Sequence, residues 1–171
     1  MERIYLIGMM YAGKSTVGPL LAQRLHWSFQ DLDEEIEIST QATIKDLFKN
    51  RGEDHFRRIE SRMLRETISS RNLVLATGGG VILHPESRQW LRATGVVVFL
   101  QADFDTLCRR MPFHPDRPLL DRYPTQWPTT LQAILDKRQP LYYHTAHLVV
   151  NTHGKTQAQI ADEIFRKVTN Q

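Results

Sequence analysis

The sequence predicts an α/β fold with three layers, a parallel sheet covered by helices on both faces. Three observations carry that prediction. Short apolar, β-leaning runs alternate with helix-periodic segments along the 171 residues, the pattern of repeated strand–helix units. Val96-Val97-Val98-Phe99-Leu100 is apolar throughout, as suits a parallel strand buried on two sides. Between the first strand and the first helix, Gly8-Met9-Met10-Tyr11-Ala12-Gly13-Lys14-Ser15-Thr16 fits G-x-x-x-x-G-K-[ST], a loop that cradles nucleotide phosphates.

The elements follow in order. Ile4-Tyr5-Leu6-Ile7 is the first strand. Val17, Leu20, Leu21 and Leu25 lie at helical spacing and mark the first helix. Trp27-Ser28-Phe29-Gln30 reads as a second strand ending at Asp31-Leu32-Asp33. Residues 33–71 are largely helical. Ile36, Ile38, Ile44, Leu47 and Phe48 anchor one part, and Phe56, Ile59, Met63, Leu64 and Ile68 another. Asn50-Arg51-Gly52 separates two of these helices. Leu73-Val74-Leu75-Ala76 is a buried strand, followed by Thr77 and three glycines. Pro85 opens a helix that runs to Thr94. The strand at 96–100 leads to a helix from Asp103 to Met111 and a loop from Pro112 to Pro128 rich in Pro, Asp and Arg. A helix from about Thr129 to Tyr143, a strand from His147 to Asn151 and a helix from Thr156 to Val168 complete the chain. No repeat, low-complexity tract or interdomain linker interrupts it, so residues 1–171 read as a single domain.

Composition narrows the function. Net charge is +3 and no block of basic residues appears, which argues against nucleic acid as a partner. The basic residues instead suit a small anionic ligand. No apolar run is long enough to span a membrane. The single cysteine, Cys108, cannot form an internal disulfide and reads as a buried small residue on a helix. With no signal peptide evident, the expected location is the cytoplasm. No exposed apolar stripe demands a partner, so a monomer is the default. The seven histidines show no metal-site spacing.

The chemistry begins at the phosphate loop. Its glycines let successive N–H groups point inward as an anion nest, and the following helix N-terminus adds positive partial charge. Tyr11, Ala12, Gly13, Lys14, Ser15 and Thr16 form the nucleotide-binding stretch, with Lys14 able to reach the β- and γ-phosphates and Ser15 able to ligate Mg²⁺. Asp31 and Asp33 end the second strand. In an extended segment they can face a metal and an acceptor hydroxyl, while Asp33 is also a candidate helix cap before Glu34. Gly78-Gly79-Gly80 allows close ligand approach, or a tight turn. Arg57 suits a carboxylate ligand, or a surface pair with Glu60 one helical turn on. Arg138 has the same two readings, ligand clamp or solvated helix charge. Arg117, in the polar loop, suits a lid that closes over phosphates, or an ordinary surface loop. Arg109 and Arg110 end a helix, where cations also favour its dipole. Ligands of such folds sit at the carboxyl ends of the strands, so the loop, Asp31, Asp33 and the glycine triplet should share one cleft.

In this order and at these intervals the motifs resemble the shikimate kinase family, phosphate-loop kinases of the nucleoside-monophosphate-kinase-like group. The resemblance rests on the phosphate loop, Asp31-x-Asp33, Phe56-Arg57-x-x-Glu60, Gly78-Gly79-Gly80, Arg117-Pro-Leu-Leu and Arg138-x-Pro-Leu-Tyr142, from Ile4 to about Val168. It implies a five-stranded parallel sheet in the order 2-3-1-4-5, a substrate-binding helical segment at about 33–61 and a mobile lid at about 112–124. It implies transfer of the ATP γ-phosphoryl to the 3-hydroxyl of shikimate, on the route to chorismate and the aromatic amino acids. Under it Lys14, Asp33 and Arg117 are catalytic. Ser15 and Asp31 hold Mg²⁺. Asp33, Arg57, Gly78, Gly79, Gly80 and Arg138 bind shikimate, with Phe48, Phe56 and Glu60 in supporting positions. Arg110 packs on adenine, and Arg117 reaches the phosphates.

The chain departs from the family pattern in three places. Tyr11 stands where the family usually has glycine, which would strain a positive φ. Asn151 replaces a usual Asp and a later proline is absent, leaving Lys155 as the candidate basic nucleotide contact. Pro112-Phe113-His114-Pro115 precedes the lid arginine. The competing readings are a kinase for gluconate or for a nucleoside monophosphate, and a nucleotide-binding module without catalysis. No Asn-Lys-x-Asp guanine signature occurs.

Overall fold

A computed structural model describes residues 2–111 and 126–170. Strand β1 (Arg3–Ile7) is buried at every position and lies at the centre of the sheet. It pairs in parallel with β3 (Leu73–Ala76) on one side and β4 (Val96–Gln101) on the other. The outer strands are β2 (Ser28–Asp31) beside β3 and β5 (Leu148–Asn151) beside β4. The order is therefore β2-β3-β1-β4-β5, all parallel, as the family resemblance implied. Burial follows that order. The inner strands β1 and β3 are wholly buried, whereas β2 exposes Ser28 and β5 exposes Asn151.

Helix α1 (Lys14–Leu25) packs against the sheet and against α8 (Gln157–Thr169). The approach to β2 is close, because an added Cβ at Gly18 of α1 would overlap the Phe29 ring. Across the sheet, α5 (Pro85–Thr94) packs on β4 and on α7 (Trp127–Thr145), which also meets α6 (Phe104–Arg110). Each fully buried Leu, Ile or Phe in these layers contributes about 1.5–3 kcal/mol, and Ile4, Leu6, Ile7, Leu21, Leu73 and Leu75 are all inaccessible.

The helical stretch after β2 is divided once more than its sequence suggests. It comprises α2 (Leu32–Thr40), α3 (Ile44–Arg51) and α4 (Glu53–Glu66), with a single 3₁₀ turn after α4. The expected break stands at Gly52. The unexpected one is at Gln41, in the left-handed region at φ 53°, followed by Thr43 as the cap of α3. Helix α1 begins at Lys14 rather than Val17, and α7 begins at Trp127 rather than near Thr129. Cys108 is half-buried rather than buried. Among the described residues no helix is long and apolar enough to cross a membrane.

Candidate active site

The carboxyl ends of β1, β2 and β3 open into one cleft of about 610 Å³. Its lining includes Tyr11, Ala12, Gly13, Lys14, Ser15 and Thr16 from the phosphate loop, Asp31 and Asp33 after β2, and Gly78, Gly79 and Gly80 after β3. Phe48, Phe56, Arg57, Glu60, Arg110, Arg138 and Lys155 complete it. The expected convergence therefore holds for every predicted site residue except Arg117, which lies outside the described residues together with the proposed lid at 112–124.

In the phosphate loop Gly13 adopts φ 100°, ψ 18° and caps α1, so the helix N-terminus stands at the cleft that Lys14, Ser15 and Thr16 line. Lys14 is buried, and its ammonium donates to the carbonyls of Gly8 at 2.9 Å and Met9 at 2.8 Å. The Ser15 hydroxyl donates to Asp31 Oδ2, which brings a hydroxyl and a carboxylate together at the mouth of the loop. Two hard oxygen donors beside a phosphate nest suit a Mg²⁺ that takes its remaining ligands from phosphates and water.

The capping role belongs to Asp31, not Asp33. Asp31 Oδ1 accepts the Asp33 amide at 3.0 Å, and α2 starts at Leu32. Asp33 thus lies in the first turn with its carboxylate turned toward the glycine triplet. An ideal Cβ on Gly78 would lie 2.9 Å from Asp33 Oδ1 and 2.5 Å from Glu60 Oε1.

Helix α4 buries Phe56, Arg57, Glu60 and Leu64, one face at three- and four-residue spacing. Arg57 and Glu60 consequently form a buried pair at 2.9 Å rather than a surface one, and Glu53 adds a second carboxylate at 3.2 Å. The Arg57 guanidinium also lies 5.0 Å from the Phe56 ring centre and 5.8 Å from that of Phe48. Burial alone would lower the Arg57 pKa; the Glu60 and Glu53 carboxylates outweigh it and hold it above the ordinary value. Burial pushes the Glu60 carboxyl upward against the pull of Arg57. One donor and one acceptor of this pair, Arg57 Nε and Glu60 Oε1, are buried with no hydrogen-bond partner among the described residues.

On α7 the buried residues Leu131, Leu135, Arg138, Tyr142 and Thr145 form one stripe. Arg138 thereby reaches the cleft, and a Cβ on Gly79 would lie 3.5 Å from its Nη1. Beside it the Tyr142 hydroxyl donates to the Gly79 carbonyl at 2.5 Å. Burial pushes that phenol up to about 12, so it remains a donor throughout the neutral range. A Cβ on Gly80 would overlap the Arg57 guanidinium. Gly78 and Gly80 therefore make room for neighbouring side chains, whereas a methyl at Gly79 would sit in ordinary contact with Arg138.

Arg110 and Lys155 line the same cleft. Arg110 donates to the Ala12 carbonyl at 3.1 Å and to Thr152 Oγ1 at 3.2 Å and its carbonyl at 3.1 Å. It ties the phosphate loop to the segment after β5, and burial lowers its pKa. Lys155 is paired with Glu163 at 2.6 Å. Asn151 accepts the His153 amide at 2.8 Å, forming the local turn that leads toward Lys155. Sequence reasoning missed Thr152, a fully buried residue whose position next to Asn151 carries no motif.

The family model for shikimate kinase matches residues 10–169. A shikimate kinase of Persephonella marina is 37% identical over 168 residues, covering 98% of this chain and 99% of that protein. One from Thioalkalivibrio sulfidiphilus is 42% identical over 96% of this chain and 86% of its own. Among solved structures, a shikimate kinase from Acinetobacter baumannii in complex with shikimate superposes with a TM-score of 0.95 at 38% identity, covering 99% of this chain and 94% of that one. A gluconokinase from Sinorhizobium meliloti, at 19% identity and TM-score 0.61 over 98% and 91% of the two chains, shares the fold alone.

Proposed function

The chain belongs to the shikimate kinase family, and from that premise we propose how its residues divide the transfer of the ATP γ-phosphoryl group to the 3-hydroxyl of shikimate. The observation that carries the reading is the pairing of two kinds of chemistry across the glycine triplet. Arg57 and Arg138 supply buried cations for a carboxylate, while Asp33 supplies an anion for hydroxyls next to the phosphate loop. A polyhydroxy carboxylate satisfies both ends at once. A nucleobase acceptor would bring no carboxylate to Arg138 or to the Arg57 Nε that Glu60 and Glu53 leave over.

In this reading the amides at the start of α1 and the Lys14 ammonium hold the β- and γ-phosphates, while the Ala12 and Thr16 amides stay bonded within the loop. On nucleotide binding Lys14 exchanges its loop carbonyls for phosphate oxygens. Ser15 and Asp31 would hold Mg²⁺, which neutralises phosphate charge when bound. Asp33 accepts a hydrogen bond from the attacking 3-hydroxyl and takes or orients its proton. Arg57 and Arg138 clamp the shikimate carboxylate, and Phe48 and Phe56 wall the ring. Arg110 and Lys155 contribute on the nucleotide side, and Arg117 is assigned to the transferring phosphoryl group on the family resemblance. Catalysis is then chiefly alignment and charge neutralisation.

The test is ADP formation from Mg-ATP with shikimate, gluconate or CMP as acceptor. Turnover with shikimate alone is expected. Equal turnover with gluconate or CMP, or none with shikimate despite ATP binding, would overturn the assignment.

A further inference from the structure

Four described residues other than glycine have positive φ: Tyr11, His26, Gln41 and Asn72. Two of them have a local explanation, since His26 and Gln41 terminate α1 and α2 in the left-handed conformation that ends helices. Asn72 is of the residue type that tolerates this region best. Tyr11, at φ 64°, has no such explanation. It is the second central residue of a turn closed by the Ala12 amide and the Met9 carbonyl at 3.1 Å. With φ positive at that residue and not at Met10, the turn has the signs of type II, which favours glycine where Tyr11 stands. The phosphate-loop motif leaves this position open to any residue, so the motif does not require tyrosine.

The side chain is also placed to act. It is half-buried, packs against the core and lines the cleft on the same loop that carries Lys14 and Ser15. Strain kept at a cleft-lining residue, where glycine would relieve it, points to a task for the side chain. We propose that the Tyr11 ring shields the transferring phosphoryl group from water, so that ATP reacts with the acceptor hydroxyl rather than by hydrolysis. This rests on the phosphoryl-transfer reading given above. In the productive reaction the 3-hydroxyl oxygen bonds to the γ-phosphorus, the bond to the β–γ bridging oxygen breaks, and the hydroxyl proton departs by way of Asp33. In the competing reaction a water oxygen forms that bond, giving ADP, inorganic phosphate and a proton. A rigid aromatic side chain excludes water at little cost in side-chain entropy.

The experiment measures ADP and shikimate 3-phosphate together in the wild type and in Tyr11→Gly, Tyr11→Ala and Tyr11→Phe, with thermal unfolding of each. The Gly and Ala variants should release ADP in excess of product, with shikimate-independent ADP formation rising about tenfold. Tyr11→Phe, which keeps the ring, should restore the one-to-one ratio. Tyr11→Gly should also melt about 2–4 °C higher as the strain is relieved. One-to-one stoichiometry in both the Gly and Ala variants would overturn the shielding role while leaving the kinase reading intact. A wild type that forms no shikimate 3-phosphate would overturn the reading beneath it.

Discussion

Arg57 and Arg138, on the proposed acceptor side of the cleft, are 6% and 5% exposed and are held by carboxylates, rings and a buried phenol. Lys155 and Arg110, on the proposed nucleotide side, are half-exposed and occupied by an ion pair and by backbone carbonyls. The acceptor side is thus assembled before ligand arrives, at the cost of burying charge. The nucleotide side offers cations that a ligand can reach by exchange. Buried, oriented guanidinium groups favour acceptors that carry a carboxylate, because only such a ligand matches the donors that the protein's own partners leave over, Arg57 Nε among them. Exposed cations contribute affinity with little selectivity.

The largest effect should come where the two sides meet. Asp33→Asn is expected to lower kcat by about 10²–10⁴ while ATP affinity, measured by calorimetry, stays near wild type. Near-normal turnover would remove Asp33 from the chemistry. Next come the buried arginines. Arg138→Ala should raise the shikimate KM about 10–100-fold, the range for losing a charged hydrogen bond. Arg57→Ala should do the same and in addition lower unfolding stability by about 3 kcal/mol, because it strands the Glu60 carboxylate in the interior. Urea denaturation separates the two variants, and equal stability would show that the Arg57–Glu60 pair is not coupled to the fold.

Gly80→Ala sharpens the comparison without removing a charge. The new methyl must displace the Arg57 guanidinium, so the shikimate KM should rise about tenfold, ~1.4 kcal/mol, with the ATP KM unchanged. An equal rise in both would mean that the backbone had moved. The smallest effect is expected at Lys155→Ala, where the KM for ATP should change by less than about threefold. A tenfold change would show that the exposed side of the cleft depends on single contacts as strongly as the buried side does.

The difference between the two sides also explains what could be read from the sequence. The phosphate loop, the apolar strands and the glycine triplet are local patterns, and all lie where they were expected. The aspartates were legible as a pair but not individually. Whether Asp31 or Asp33 caps α2 depends on a one-residue choice of helix start, and Asp31 takes it. Arg57 and Glu60 fit a solvated pair three residues apart equally well, and only the packing of α4 beneath Phe48 and beside the triplet buries them. Thr152 and the bridge through Arg110 join segments 42 residues apart, with no periodicity to announce them. Gln41 ends α2 in a conformation usually given to glycine, so the chemistry of that break was not visible in its residue type.

The glycine triplet has a consequence for inhibitor design. A compound seated against Gly78 and Gly80 touches a strip where a side chain would intrude on Asp33 and Glu60 or on Arg57. A resistance mutation at either glycine is expected to lower turnover as it blocks the drug, which kinetics of Gly78→Ala and Gly80→Ala would check. By contrast, a compound anchored on Lys155 leans on a residue whose loss the enzyme should tolerate, and escape from it would be easy. The most durable pharmacophore for this cleft is therefore one that hugs the backbone after β3.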